Sequence, residues 1–163
     1  MNFFRDYVES FRYSNHLWPI FFLRIYVGLY LISESLYKKS TGFLEKPVLS
    51  AMIDENLLVL QNAPGLINSF YIDLVQPNWL FWSASIVNIE WFIGLLLIFG
   101  LLVRPVSICL FVYLYLMSFV LNSGAWMALE QVSVMVALLL ISGAGRVGGL
   151  DYFFYKRQRG LIW

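Results

Sequence analysis

Cysteine and histidine are nearly absent from this chain of 163 residues, which holds only Cys109 and His16. A single cysteine excludes an internal disulfide and a Cys-x-x-Cys thiol exchange centre. A single histidine excludes paired histidine ligation of a haem, and no zinc-ligand spacing of His and Cys is present. We therefore predict no metal site and no covalently bound cofactor.

Charge is also scarce. Only 13% of the residues are charged and the net charge is +1, whereas 60% are hydrophobic and the mean hydropathy is +0.72. Without a cluster of excess Lys and Arg, the chain lacks the electrostatic footprint of a nucleic-acid-binding protein. This composition lies outside the usual range of soluble domains. We predict a single integral membrane domain over residues 1–163, surrounded by the lipid bilayer, with no nucleic-acid partner.

Long apolar runs define the predicted architecture. A transmembrane helix needs about 20 predominantly apolar residues. Four stretches come close to that length, at about 17–37, 79–102, 105–122 and 127–144. They predict an all-α fold, an integral membrane four-helix bundle. The long connection 38–78 is more polar and is interrupted by prolines, and its apolar pieces predict short helices outside the hydrocarbon layer.

Basic residues indicate the orientation, because loops retained in the cytoplasm are richer in Lys and Arg. The residues that would share one side are Arg5, Arg12, Arg104, Arg146, Lys156, Arg157 and Arg159. The other side holds Lys38, Lys39 and Lys46. We predict a multi-pass protein of the cell inner membrane, with both termini cytoplasmic and loop 38–78 external or periplasmic.

Ionisable residues interrupt the apolar stretches at Arg24, Glu34, Glu90 and Glu130. A charge at the bilayer centre costs about 2.5–3.5 kcal/mol on insertion scales, so each must pair, face protein or line a wet cavity. Counting about 1.5 Å per residue along each helix brings Arg24 near Glu90 in depth, and Glu34 near Glu130 in the outer half. We therefore predict a pair between Arg24 and Glu90, and an outer polar pocket that Glu34 and Glu130 share.

Hydrogen-bonding side chains beside these charges extend the predicted pocket. The candidate catalytic residues are the three acids Glu34, Glu90 and Glu130, which would exchange protons. The candidate ligand-binding residues are Arg24, Tyr30, Glu34, Tyr37, Lys38, Glu90, Glu130 and Gln131. The pocket would bind a polar ligand head, and the 18% aromatic content also allows a crevice for a quinone ring. The alternative is that the charges only pair and fix the helix register.

Three motifs around these residues resemble the DoxX family of small four-helix bacterial and archaeal membrane proteins. The motifs are Arg24-x-x-x-Gly28 with Glu34 and Lys38-Lys39; Glu90 followed by Gly94, Gly100 and Arg104-Pro105; and Glu130-Gln131 before Gly143-Ala144-Gly145 and Leu150-Asp151. The resemblance spans most of the chain. The long first loop departs from the family pattern, so nothing about the external face is carried over.

The resemblance implies a membrane subunit of an oxidoreductase system, of which the best known is the small subunit of thiosulfate:quinone oxidoreductase. Because the chain offers no metal, haem or dithiol, electrons would need a bound quinone or a partner subunit. We expect a membrane subunit of a quinone-linked oxidoreductase or respiratory complex, with quinone or a small anion in the polar pocket. The alternative is a non-catalytic structural or assembly subunit of a larger membrane complex. A homo-oligomer is a further possible assembly, and whether the chain takes part in catalysis stays open.

Overall fold

A computed structural model describes residues 18–121, 123–142 and 149–151, and for 123–128 it describes the backbone only. Within these residues all regular structure is helical and no strand is present. The all-α prediction is therefore confirmed. Both chain ends, and with them the prediction that the termini are cytoplasmic, lie outside the described residues.

Seven α-helices and one π-helical segment make up the described structure. They are α1 Trp18–Ser40, α2 Val48–Glu55, α3 Leu57–Gln61, α4 Gly65–Ser69, the π-helical segment Phe70–Val75, α5 Trp79–Phe99, α6 Val103–Met117 and α7 Ser123–Ser142. Each of the four predicted spans overlaps one of the long helices α1, α5, α6 and α7, although only 79–102 contains its helix entirely. By length and composition, α1 and α5 are apolar enough to cross a membrane, with mean hydropathies of 1.4 and 1.7.

The four long helices pack around one apolar core to which each of them contributes. Its buried residues include Val27, Leu31, Ile93, Leu97, Leu110, Val136 and Leu139. Helices α1 and α5 approach each other closely, because two glycines face each other there. A Cβ atom built on Gly94 would lie 2.8 Å from the Gly28 carbonyl oxygen, so only small residues permit this helix spacing.

The connection between α1 and α5 folds into a cap over one end of the long helices. Short helices were predicted there, and they begin after Pro47 and at Gly65. A second apolar core joins them to the long helices; its buried residues include Leu49, Ile53, Leu60, Tyr71, Ile86, Val87 and Val120. Asn56 also donates to the Val120 carbonyl oxygen at 2.9 Å, which ties the cap to the end of α6.

The opposite end is held by a residue distant in sequence. Asp151 Oδ1 accepts the backbone N–H of Leu102 at 2.6 Å, and Oδ2 accepts that of Val103 at 3.0 Å. These bonds satisfy two backbone N–H groups at the N-terminus of α6, and such groups have no acceptors within their own helix. Burial raises the pKa of the Asp151 carboxyl, although both N–H groups and the nearby Arg24 favour its charged form. The carboxyl therefore fixes the turn between α5 and α6.

We expect Asp151→Ala to lower the free energy of unfolding by about 1–3 kcal/mol, because it leaves two N–H groups of the α6 N-terminus without acceptors. Thermal unfolding of the detergent-solubilised protein measures this effect. Asp73→Ala is the matched control, since Asp73 is exposed on the π-helical segment. Equal unfolding temperatures for the two variants would contradict the capping role.

Candidate functional site

A cavity of about 250 Å³ lies beneath the cap, among α1, α2, α5 and α6. Its polar lining consists of Tyr30, Glu34, Lys38, Glu90 and Tyr113. Its apolar lining residues are Leu31, Phe43, Leu49, Met52, Ile86, Leu114, Met117, Val120, Leu121 and Leu129. A mostly apolar pocket with a few converging polar groups is the usual form of a small-molecule site.

Helix geometry brings the polar groups to one wall. Tyr30, Glu34 and Lys38 follow each other at intervals of four residues, so they share one face of α1. The Ser35 hydroxyl donates to the Val87 carbonyl oxygen at 2.9 Å and fixes the register of α1 against α5. In this register Lys38 on α1 reaches Glu90 on α5.

Glu90 is the centre of the polar network. Its side chain is only 4% exposed, and its Oε1 accepts hydrogen bonds from Lys38 Nζ and the Tyr113 hydroxyl. Its Oε2 is buried and has no hydrogen-bond partner among the described groups. A buried carboxylate oxygen left without a donor is costly, and such groups in native proteins need a specific reason.

The predicted outer pocket therefore exists in part, with Tyr30, Glu34 and Lys38 as expected members. Glu90 joins it, although it was expected to pair with Arg24. The structure does not bring Arg24 to Glu90. Arg24 is fully buried near the other end of α5, where a Cβ on Gly100 would lie 2.5 Å from its Nη1.

The register between α1 and α5 explains this difference. Gly100, which follows the last residue of α5, lies roughly 15 Å from Glu90 along the helix axis. The Arg24 side chain, which lies beside Gly100, therefore does not reach Glu90. Depth counted from estimated span ends ignores the contacts that fix how two helices align. Here the contact of Gly28 with Gly94 sets that alignment.

The remaining predicted residues lie outside the cavity. Glu130 is exposed and lines a separate open groove between α6 and α7, with Tyr115, Ser118 and Ser133 among its neighbours. Gln131 is exposed, and Tyr37 is 65% exposed. The structure thus places Glu34 and Glu130 on different surfaces and does not form the shared pocket that was expected.

Tyr113 is the site residue that sequence reasoning missed. A signal for it was present, because Tyr113 lies three residues after Leu110 and seven after Val106, on the buried stripe of α6. A polar side chain at a core-facing position of an apolar helix marks an internal hydrogen bond or a site. Within the described residues, no group of three or more His, Cys, Asp or Glu side chains is placed to hold a metal ion.

A helical protein with a mostly apolar cavity and a few converging polar groups is the class that this fold and site define. A protein-family model, described as DoxD, the TQO small subunit, matches residues 19–161. The chain therefore belongs to this family. The resemblance seen in the sequence is thereby confirmed. The comparisons with curated proteins and with solved structures each gave no match. Membership and the two apolar helices indicate a membrane protein, a subunit of a quinone oxidoreductase.

Proposed function

We propose that the four long helices all span the membrane, and that the cavity around Glu90 binds the head group of a quinone. The chain would then be the quinone-binding subunit of its oxidoreductase complex. The observation that carries this proposal is the buried Glu90 Oε2 at the wall of a cavity, which has no donor among the residues that the structure describes. The hydroxyl of a reduced quinone is a donor of the required kind.

The residues present fit such a head group. The Lys38 ammonium has three N–H groups, of which Glu90 accepts one, so it is a donor suited to a quinone carbonyl oxygen. Apolar side chains form most of the other walls. A volume of about 250 Å³ is below the range of about 300–1,000 Å³ for whole drug-sized ligands, so it suits a ring rather than a complete lipid quinone. A bound quinone would supply the acceptor for two electrons and two protons, with electrons arriving from a partner subunit.

The charges of the cavity favour a neutral ring over a small anion. Among the described lining residues, Glu34 and Glu90 are acids and Lys38 is the one base. The Lys38 ammonium already pairs with Glu90. An anion would therefore meet a net negative environment, which repels it strongly in a site of low dielectric constant.

The acidic residues would handle protons in this proposal. Glu90 would exchange a proton with the head group, while Lys38 and Tyr113 hold its carboxyl in place. Glu34 lies one turn from Lys38 on the same face and is only half-buried, so it would pass protons between the cavity and the outer surface. Glu130 lies outside this cavity, and Glu130→Gln tests its expected role separately.

A structural subunit is the second candidate function. The network of Lys38, Glu90 and Tyr113 joins α1, α5 and α6, so it would also hold these helices together. In that case the purified chain binds no quinone, and loss of Glu90 reduces the amount of folded protein or of its complex.

The test is quinone binding to the purified full-length protein, measured by titration and by extraction of retained quinone. We expect Glu90→Gln to weaken binding about tenfold or more, the factor that follows from losing a hydrogen bond to a charged group. Glu45→Gln, which changes an exposed acid of the cap, should bind like the unmodified chain.

Folded yield separates the two candidates. Unchanged binding in Glu90→Gln, at normal yield, would contradict the quinone site. A chain that binds no quinone, with a Glu90→Gln variant that fails to accumulate, would instead support the structural role.

A further inference from the structure

A second, smaller cavity lies directly beside the first. Its volume is about 90 Å³, and it lies among α2, α5, α6 and the π-helical segment. The two cavities share the lining residues Leu49, Ile86, Tyr113 and Met117, so they are adjacent and these side chains lie between them. Methionine side chains are flexible, so Met117 is the shared lining residue best suited to move aside between the two spaces.

The surface of the second cavity is apolar, although Ser85 and Trp82 are among its lining residues. The Tyr71 hydroxyl at its wall donates to the Leu116 carbonyl oxygen at 2.7 Å, and the Tyr113 hydroxyl donates to Glu90. Both phenols therefore present only ring carbons to the space. A cavity of this kind stays dry, because water needs polar partners, and it takes hydrocarbon ligands instead.

One wall of this cavity reaches the outer surface of the helices. Ile89 lines it and is 48% exposed on α5, within the predicted span 79–102. A path from the Glu90 cavity past Tyr113 and Met117 would thus end beside Ile89, at a face that meets lipid in the proposed topology.

We infer that the second cavity binds the first part of the isoprenoid side chain of a lipid quinone, and that the chain leaves toward the bilayer beside Ile89. This inference rests on the proposed function, since it assigns the head group to the first cavity. It names the ligand class as prenylated quinones. The dry apolar walls, the shared side chains and the exposed end at Ile89 support it together.

The test compares two quinones with one head group, a benzoquinone without a side chain and its geranyl derivative, bound to the full-length protein. Ile89→Trp places an indole at the exposed end of the second cavity. We expect it to weaken binding of the geranyl compound at least about fivefold, the effect of a modest overpacking clash, and to leave the short quinone unchanged. Ile108→Trp is the matched control, being 53% exposed on α6 and outside both cavities.

The outcomes distinguish failure of the side-chain inference from failure of the proposed function. If the short quinone binds and Ile89→Trp affects neither compound, the inference about the side chain is overturned and the head-group site stands. If neither quinone binds the unmodified chain, the proposed function fails, and this inference fails with it.

A second measurement keeps the inference testable if Ile89→Trp does not fold. A quinone with a photoreactive group on its first prenyl unit, irradiated on the unmodified protein, should label Ile89, Trp82 or Leu116. Labelling confined to the groove around Glu130 would overturn it.

Discussion

Replacing Gly100 with alanine should lower the free energy of unfolding by about 3 kcal/mol or more, the sum of two separate penalties. Gly100 ends α5 with φ at +65°, a left-handed conformation that disfavours any side chain. The new Cβ would also lie 2.5 Å from Arg24 Nη1 and 2.7 Å from the Gly149 Cα. Arg24 is fully buried, so its guanidinium has little room to move. Folded yield and thermal unfolding in detergent measure the loss.

Gly65→Ala is the matched control for this substitution. Gly65 begins α4, its φ is not left-handed, and an added Cβ would meet no atom within 4 Å. Alanine there should leave stability unchanged or raise it by up to about 1 kcal/mol, because it reduces the freedom of the unfolded chain. A Gly100→Ala variant that unfolds at the same temperature as Gly65→Ala would contradict the constraint described at the turn after α5.

Helix existence was the part of the fold that sequence pattern could predict. The four apolar stretches each became a long helix, and the prolines and glycines of the connection marked where the cap helices start. Boundaries were less accessible: α5 ends at Phe99, whereas apolarity continues to Leu102. The helix stops because Gly100 and then Leu102 adopt positive φ and because Asp151, far along the chain, caps the next helix.

The sequence pattern did not predict which side chains of different helices lie together in the site. Tyr30, Glu34 and Lys38 could be grouped because their spacing lies within one helix. The partner of Glu90 depended on how α1 aligns with α5, which is set by Gly28 against Gly94 and by Ser35 against Val87. Which face of α7 is buried was equally decisive, since Val132, Val136 and Leu139 turn inward and leave Glu130 on the groove.

The ion pair at the cavity gives the second large expected effect. Lys38→Met should lower the free energy of unfolding by about 3–5 kcal/mol, the usual result of leaving one charge of a buried pair without its partner. Glu90→Gln should cost clearly less, because the Lys38 side chain is 23% exposed and its ammonium can reach water, whereas Glu90 is 4% exposed. The double variant Lys38→Met with Glu90→Gln should recover most of the loss, because the buried carboxylate is then absent. Glu34, the acid that remains at this wall, is only half-buried and can reach water. Lys39→Met, at an exposed neighbouring position, controls for removal of a cation from this end of α1.

The same three variants separate what the pair does for stability from what it does for the ligand. If the pair only holds helices together, the double variant regains stability and nothing else changes, because no ligand ever depended on it. If the cavity binds a quinone head group, the double variant regains stability yet still binds quinone weakly, since both the donor Lys38 and the acceptor Glu90 Oε2 are gone. Equal stability of Lys38→Met and Lys39→Met would contradict the buried ion pair itself. If the double variant recovers stability and also binds quinone as well as the unmodified chain, Lys38 and Glu90 do not contribute to quinone binding.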